Sequence, residues 1–166
     1  MDDIARSFYK SPVGILEIAT SNRVIISVSF AEAEPVEVTP DEPVILECKT
    51  QLELYFNGQL KEFNLPLKPS GSEFQKKVWE QLLKIPYGTI VSYEYIARKL
   101  GDAGSIRAVG MAYNKNRIPI IIPCHRVVGK NGEMIGYGGG IWRKKWLLQH
   151  ERKFSAVKQM ELFNID

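Results

Sequence analysis

Cysteine and histidine are scarce in this sequence, and their scarcity narrows its chemistry. Among 166 residues there are two of each: Cys48, Cys124, His125 and His150. No Cys-x-x-Cys or His-x-x-x-His pair occurs, and neighbours such as Cys124 and His125 seldom ligate one ion together, so no metal site is expected. Two cysteines without framework spacing also exclude a disulfide scaffold and fit a reducing, cytoplasmic compartment. Long apolar runs are missing too. None reaches the length of a secretory signal core or a membrane span, so no membrane partner is expected. Internal repeats and low-complexity segments are absent as well. What remains is 45% hydrophobic and 25% charged, the composition of a globular protein with enough apolar material for a core. The length suits one substantial domain or two small ones.

The net charge is only +3, but it is unevenly spread. Up to Ser70 there are 6 Lys+Arg against 11 Asp+Glu, and from Gly71 onward 16 against 8. The second half therefore carries the surplus that would face a polyanion such as nucleic acid. A solvated basic face explains the same charge equally well until a motif decides.

Taken in order, Ser7 to Phe30 reads as a three-stranded meander, with turns at Ser11-Pro12-Val13-Gly14 and Ser21-Asn22 between runs rich in Ile and Val. Residues 31–43, rich in acids and prolines, read as a mobile loop. Ile45, Cys48, Leu52, Tyr55 and Phe56 then recur at helical spacing over Val44 to Phe56, which places Cys48 on a buried stripe as a structural thiol. Residues 61–71 read as a link to a second unit. Ser72-Glu73-Phe74-Gln75 has the form of a capping box opening a helix with Phe74, Val78, Trp79 and Leu82 on its apolar face. A short strand is expected at 89–91. Ser92 would cap the next helix through Leu100, and Ser105 opens another that runs out at Asn114-Lys115-Asn116. Two short helices about a glycine-containing turn form a helix-turn-helix pattern. Val127 to Ile135 reads as a hairpin with an Asn131-Gly132 turn, suited to a wing, and the last helix, Trp142 to Lys153, is expected to bury Trp142, Trp146 and Leu147.

Between these elements lies the run Ile120-Ile121-Ile122-Pro123-Cys124-His125-Arg126-Val127-Val128. Apolar residues on both sides anchor it, and Pro123 fixes one φ angle beside the sulfur. A thiol followed by an imidazole suits nucleophilic chemistry, although a buried cysteine is more often inert.

Together these segments resemble the O6-alkylguanine-DNA alkyltransferases, the methylated-DNA–protein-cysteine methyltransferases. The resemblance rests on residues 72–79, Ile85-Pro86-Tyr87-Gly88, Ser92-Tyr93, Arg107-Ala108-Val109-Gly110, Pro123-Cys124-His125-Arg126-Val127, Tyr137, Gly139-Gly140 and Trp146-Leu147-Leu148. The first 70 residues match more loosely, through Ser11-Pro12-Val13-Gly14. The implied fold is an α/β (α+β) ribonuclease-H-like domain with linker over 1–70, then a mainly α winged helix-turn-helix domain over 71–166.

The implied function is single-turnover DNA repair. Double-stranded DNA would be gripped through its minor groove, and an O6-alkylguanine, chiefly O6-methylguanine and by extension O4-methylthymine, would be flipped out. Its alkyl group would pass irreversibly to Cys124. By the same resemblance His125, acting through a water, and Glu151 would activate the thiol, Asn116 would brace the active-site turn, and Tyr93 would press on the target phosphate and protonate the base. Arg107 would fill the vacated stack, with Ser105, Ala108, Gly110 and Arg126 also on the DNA. Tyr137, Gly138, Val127 and Cys124 would form the base pocket. No cofactor is implied, and the protein would act as a monomer in the cytoplasm on the nucleoid, or in a nucleus. Gly138 stands where many relatives carry serine and Arg117 where they often carry proline, which bears on pocket rigidity. Three rival readings are a lesion sensor whose cysteine is replaced, a winged-helix regulator, and a cysteine hydrolase that regenerates its thiol.

Overall fold

The computed structural model describes residues 4–34, 41–101, 105–134 and 136–164, with side chains as far as 155. The chain divides into two compact units, Met1–Gly71 with Arg117–Ile121, and Ser72–Asn116 with Ile122–Asp166. Arg117–Ile121, internal to the expected second domain, thus groups with the first unit.

In the first unit β1 (Ile4–Ser11), β2 (Gly14–Ser21) and β3 (Val24–Ala31) form an antiparallel meander in the order β1-β2-β3. Ser11 tightens the first turn, its hydroxyl bonding the Gly14 carbonyl at 2.7 Å, while Gly14 sits at φ 110°. The second turn uses Asn22 and Arg23, both in the left-handed region, so the reversal ends one residue later than Ser21-Asn22 implies. Leu16, Ile18, Ile25 and Val28 are buried on the sheet, and α1 (Pro43–Phe56) lays Ile45, Cys48, Leu52 and Tyr55 against it. The expected mobile loop falls partly on residues 35–40, outside the described residues.

Residues 61–71 are more than a link. The Ile25 amide bonds the Pro66 carbonyl at 2.8 Å and the Lys68 amide bonds the Ile25 carbonyl at 2.8 Å, so the segment occupies an otherwise open strand edge. Arg117 does likewise, its carbonyl accepting the Val28 amide at 2.9 Å.

The second unit opens with α2 (Glu73–Leu83), and both bonds of the Ser72–Gln75 capping box form. The Trp79 indole donates to the Ala112 carbonyl at 3.0 Å, tying α2 to α4. The helix-turn-helix is α3 (Tyr93–Lys99), capped by Ser92, and α4 (Ile106–Asn114), capped by Ser105.

Several local expectations fail. The strand forecast at 89–91 is β4 (Val91–Ser92), paired in parallel with β5 (Val127–Val128). No hairpin wing follows β5 among the described residues. Asn131 and Gly132 take the positive φ angles that an Asn-Gly turn demands, and the Gly129 amide reaches the Glu133 carbonyl at 2.8 Å. The turn closes a short 3-10 loop, Lys130–Gly132, while β5 pairs with β4, and the end of the expected return strand, Ile135, lies outside the described residues. The last helix, α5, spans Ile141–Asn164, well past the expected stop at Lys153. Trp142, expected inside, is 54% exposed because it lies in the first turn, before the buried stripe begins.

Candidate active site

Pro123 sits at φ −80°, ψ 64°, the centre of an inverse γ-turn in which the Cys124 amide bonds the Ile122 carbonyl at 2.7 Å. Asn116 donates to the same carbonyl at 3.1 Å and also hydrogen-bonds the thiol. One side chain therefore braces both the turn and its sulfur. Cys124, His125 and Arg126 then form a single 3-10 turn ending on Val127, and all four are buried.

Burial pushes the Cys124 thiol up to about 11, and the Asn116 bond and the Lys144 ammonium counter this only in part. The sulfur is protonated at neutral pH and needs a base. His125, fully buried, presents its Nε2 to Glu151 Oε2 at 2.6 Å. Burial holds its imidazole below the ordinary value even though the Glu151 carboxylate acts in the opposite direction.

Burial alone would raise the Glu151 carboxyl. The hydrogen bond of His125 and the positive charge it carries once protonated in acid, then the bonds and charge of Arg126, outweigh it and hold the group well below the carboxylate range. Arg126 grips both oxygens, Nε to Oε1 at 2.8 Å and Nη2 to Oε2 at 3.1 Å, and the Gly88 amide adds a bond at 3.2 Å. The third guanidinium nitrogen of Arg126, Nη1, donates to the Ile85 carbonyl at 2.7 Å. The Ile85-Pro86-Tyr87-Gly88 turn is thereby part of the site. Arg126 is removed from the DNA-contact set, because its guanidinium is buried and spent on this carboxylate.

An ionised carboxylate only accepts, so the Glu151 bond fixes the proton of His125 on Nε2. The lone pair is left on Nδ1, a buried atom with no hydrogen-bond partner among the described residues.

Two participants escaped the sequence reading. Lys144 is fully buried, and burial lowers its ammonium to about 8 against the pull of the Cys124 thiol. Its Nζ lies 3.3 Å from the hydroxyl of Tyr113, the second unforeseen residue. Tyr113 meets Tyr93 edge to face with ring centroids 5.2 Å apart. The helical spacing from Lys144 to Leu147 and Glu151 puts all three on one stripe of α5, a signal that would have exposed the lysine.

Tyr93 is half-buried, and its hydroxyl stands 3.1 Å from where a Cβ on Gly136 would be, so only glycine fits comfortably there. Tyr137 is buried, with its phenol held up by burial and then by the nearby thiol. Gly138 is exposed and its surroundings are open. On α4, Arg107 points to solvent, Ala108 and Gly110 are half-buried, and the Ser105 hydroxyl oxygen accepts the Ala108 amide at 3.0 Å as a helix cap. The same unit exposes Tyr95, Ile106 and Met111, apolar surface that the sequence did not single out.

A buried thiol, a histidine locked by a carboxylate and a helix-turn-helix in one unit, with a meander-and-helix unit before it, define a class of two-unit, DNA-directed cysteine proteins. Two family models match this chain: the ribonuclease-like domain of 6-O-methylguanine DNA methyltransferase over residues 4–69, and its DNA-binding domain over residues 73–153. The chain belongs to the 6-O-methylguanine DNA methyltransferase family. It is 43% identical over 158 residues to the methylated-DNA–protein-cysteine methyltransferase of Mycobacterium leprae, covering 93% of this chain and 95% of that one. Its likeness to the Methanosarcina acetivorans enzyme of the same name is 41% over 150 residues, covering 87% and 96%. The crystal structure of Mycobacterium tuberculosis OGT in complex with DNA is similar at TM-score 0.80 and 42% identity, over 89% of this chain and 92% of that one.

Proposed function

We propose that this protein is a methylated-DNA–protein-cysteine methyltransferase that repairs O6-alkylguanine by taking the alkyl group onto Cys124. The observation that carries the reading is the orientation of His125: Nε2 is held by Glu151 and Nδ1 is left with its lone pair. That nitrogen takes the thiol proton through a water, and the sulfur then attacks the alkyl carbon in line. The S–C bond forms as the C–O bond breaks, and the electron pair leaves with the guanine oxygen. Tyr93 supplies a proton to a ring nitrogen of the departing base and is reprotonated through water by the proton that His125 took from the thiol. The imidazolium formed is stabilised by the Glu151 carboxylate. Lys144 acts alongside, as a buried cation that favours the thiolate during attack. The C–S bond of the resulting thioether is stable to hydrolysis, so each molecule reacts once.

The target oxygen lies within a duplex, and the base must leave its stack at a cost of a few kcal/mol. Arg107, exposed on α4, is suited to fill the gap, and half-buried Ala108 and Gly110 allow the helix to approach a minor groove closely. The exposed Ile106 and Met111 widen that face with apolar contact. The protein works as a monomer on double-stranded DNA, in the cytoplasm of its cell.

The test is the intact mass of wild type and Cys124→Ala after incubation with excess duplex carrying O6-methylguanine. One methyl adduct on wild type alone, with no further turnover, is expected. Binding without an adduct would identify a lesion sensor or a regulator, and repeated turnover a hydrolase.

A further inference from the structure

The loop that would close the pocket, residues 136–140, has one large side chain, Tyr137, among four glycines. Gly136 and Gly140 lie at positive φ, 66° and 95°, and Gly138 has open space about it. Such a backbone does not hold a position by itself. It is closed by the Gly140 amide on the Tyr137 carbonyl at 2.9 Å, and its far limb is seized by a side chain from α5. Arg143 Nη1 donates to the Gly139 carbonyl at 2.7 Å, and its guanidinium lies over the Trp142 ring, 4.6 Å from the centroid. The Trp142 ring in turn comes within 3.5 Å of the position of a Cβ on Gly140.

This arrangement is costly where it stands. The first turn of α5 holds no acidic residue, and a cation at a helix N-terminus opposes the macrodipole. Trp142 is half in water, where a large ring gains little from burial. Both departures are explained if the pair serves the loop. The planar fork of arginine can stack on indole and reach a carbonyl at once, whereas an ammonium cannot do both.

We propose that Arg143, stacked on Trp142, is the positioning residue that sets how far loop 136–140 closes over the alkyl group, and thereby which alkyl sizes react. Tyr137 lies two residues from the clamped carbonyl, and its neighbour Gly136 packs so close to the Tyr93 hydroxyl that a Cβ there would stand 3.1 Å from it, which ties the loop to the site. With the clamp made, a methyl group is confined to the in-line geometry. A benzyl group needs the loop raised, which breaks the Arg143 bond. The clamp also supplies the rigidity that glycine at 138 removes. The inference rests on the transfer reading above.

Arg143→Ala, Arg143→Lys and Trp142→Ala in the full chain test it through single-turnover rates on one duplex bearing either O6-methylguanine or O6-benzylguanine. A loss of positioning on the small group should slow methyl transfer about tenfold in Arg143→Ala while benzyl transfer stays within about threefold. Arg143→Lys should resemble Arg143→Ala, and Trp142→Ala should move the benzyl-to-methyl ratio the same way by less. Equal loss on both substrates, an unchanged ratio, or full rescue by lysine would overturn the proposal. Trp142 is exposed, so its variant keeps the test open should Arg143→Ala fold poorly. Absence of any adduct on wild-type Cys124 would instead remove the underlying reading.

Discussion

Each unit buries one cysteine, and the two differ in everything but burial. Cys48 lies in the core of the first unit between Ile45 and Leu52, and burial takes its thiol up to about 12. Cys124 is raised almost as far, to about 11. Burial therefore does not make a nucleophile. What differs is the surrounding chemistry. Among the described residues the first unit buries only uncharged polar groups, Ser7, Thr20 and Gln51, whereas the second buries His125, Arg126, Lys144, His150 and Glu151. Desolvating so many ionisable groups costs several kcal/mol each unless they are paired, so the retention of His125, Arg126, Lys144 and Glu151 about one thiol marks a site built for reaction over stability.

The largest effect that tests this contrast is on the thiols themselves. Cys124→Ala should abolish the mass adduct, and Cys48→Ala should retain it while lowering stability by about 1 kcal/mol through a small cavity. An adduct on Cys48 would break the comparison outright.

Next is the carboxylate. Glu151→Ala leaves Arg126 and His125 buried without their partner and should cost about 3–5 kcal/mol in urea unfolding. In the first unit, Gln51 makes two bonds to the Asn64 backbone, at 2.9 and 3.0 Å. Gln51→Ala should cost only about 1–3 kcal/mol, the range for a neutral buried pair. Because the Glu151 carboxyl is lowered on folding, its contribution is full above the ordinary value of 4.5 and is lost as pH falls further. The stability margin of wild type over Glu151→Gln should shrink as pH falls through that acid range.

The pH dependence of transfer sharpens the role of His125. Its lowered value leaves the neutral base in place at pH 7 and above. In His125→Ala the base is gone, and the rate should climb about tenfold per pH unit toward the thiol's own value near 11. A flat profile in that variant would dismiss the histidine as base. The smallest change in stability is expected at Arg107, which is exposed. Arg107→Ala should stay within about 0.5 kcal/mol of wild type. It should slow repair of duplex far more than reaction with free alkylated base, and equal losses would remove it from the stack-filling role.

Legibility in the sequence followed the range of the interaction. The Ser72–Gln75 box, the caps at Ser92 and Ser105 and the stripe through Cys48 are set by residues within one or two turns, so they could be read directly. The wing failed at long range. Asn131-Gly132 encodes its turn correctly, but the turn closes a 3-10 loop and the strand before it pairs with Val91-Ser92, 36 residues upstream, a partner of which local pattern carries no trace. Arg126 was misplaced for the same reason. A cation beside a nucleophile in a basic half looks like a DNA contact until Glu151, 25 residues on, is seen to hold it.

The sequence by itself determined the two-unit order, the helix-turn-helix, the stripe that buries Cys48 and the family, because each rests on local periodicity or on a contiguous motif. Only the tertiary structure decided which atoms face one another. It placed the proton of His125 on Nε2, turned Arg126 inward, sank Lys144 beside Tyr113, and set Arg143 over Trp142 at the pocket loop. Those outcomes depend on angles and desolvation between distant segments, and a linear order of residues specifies neither until the chain is folded.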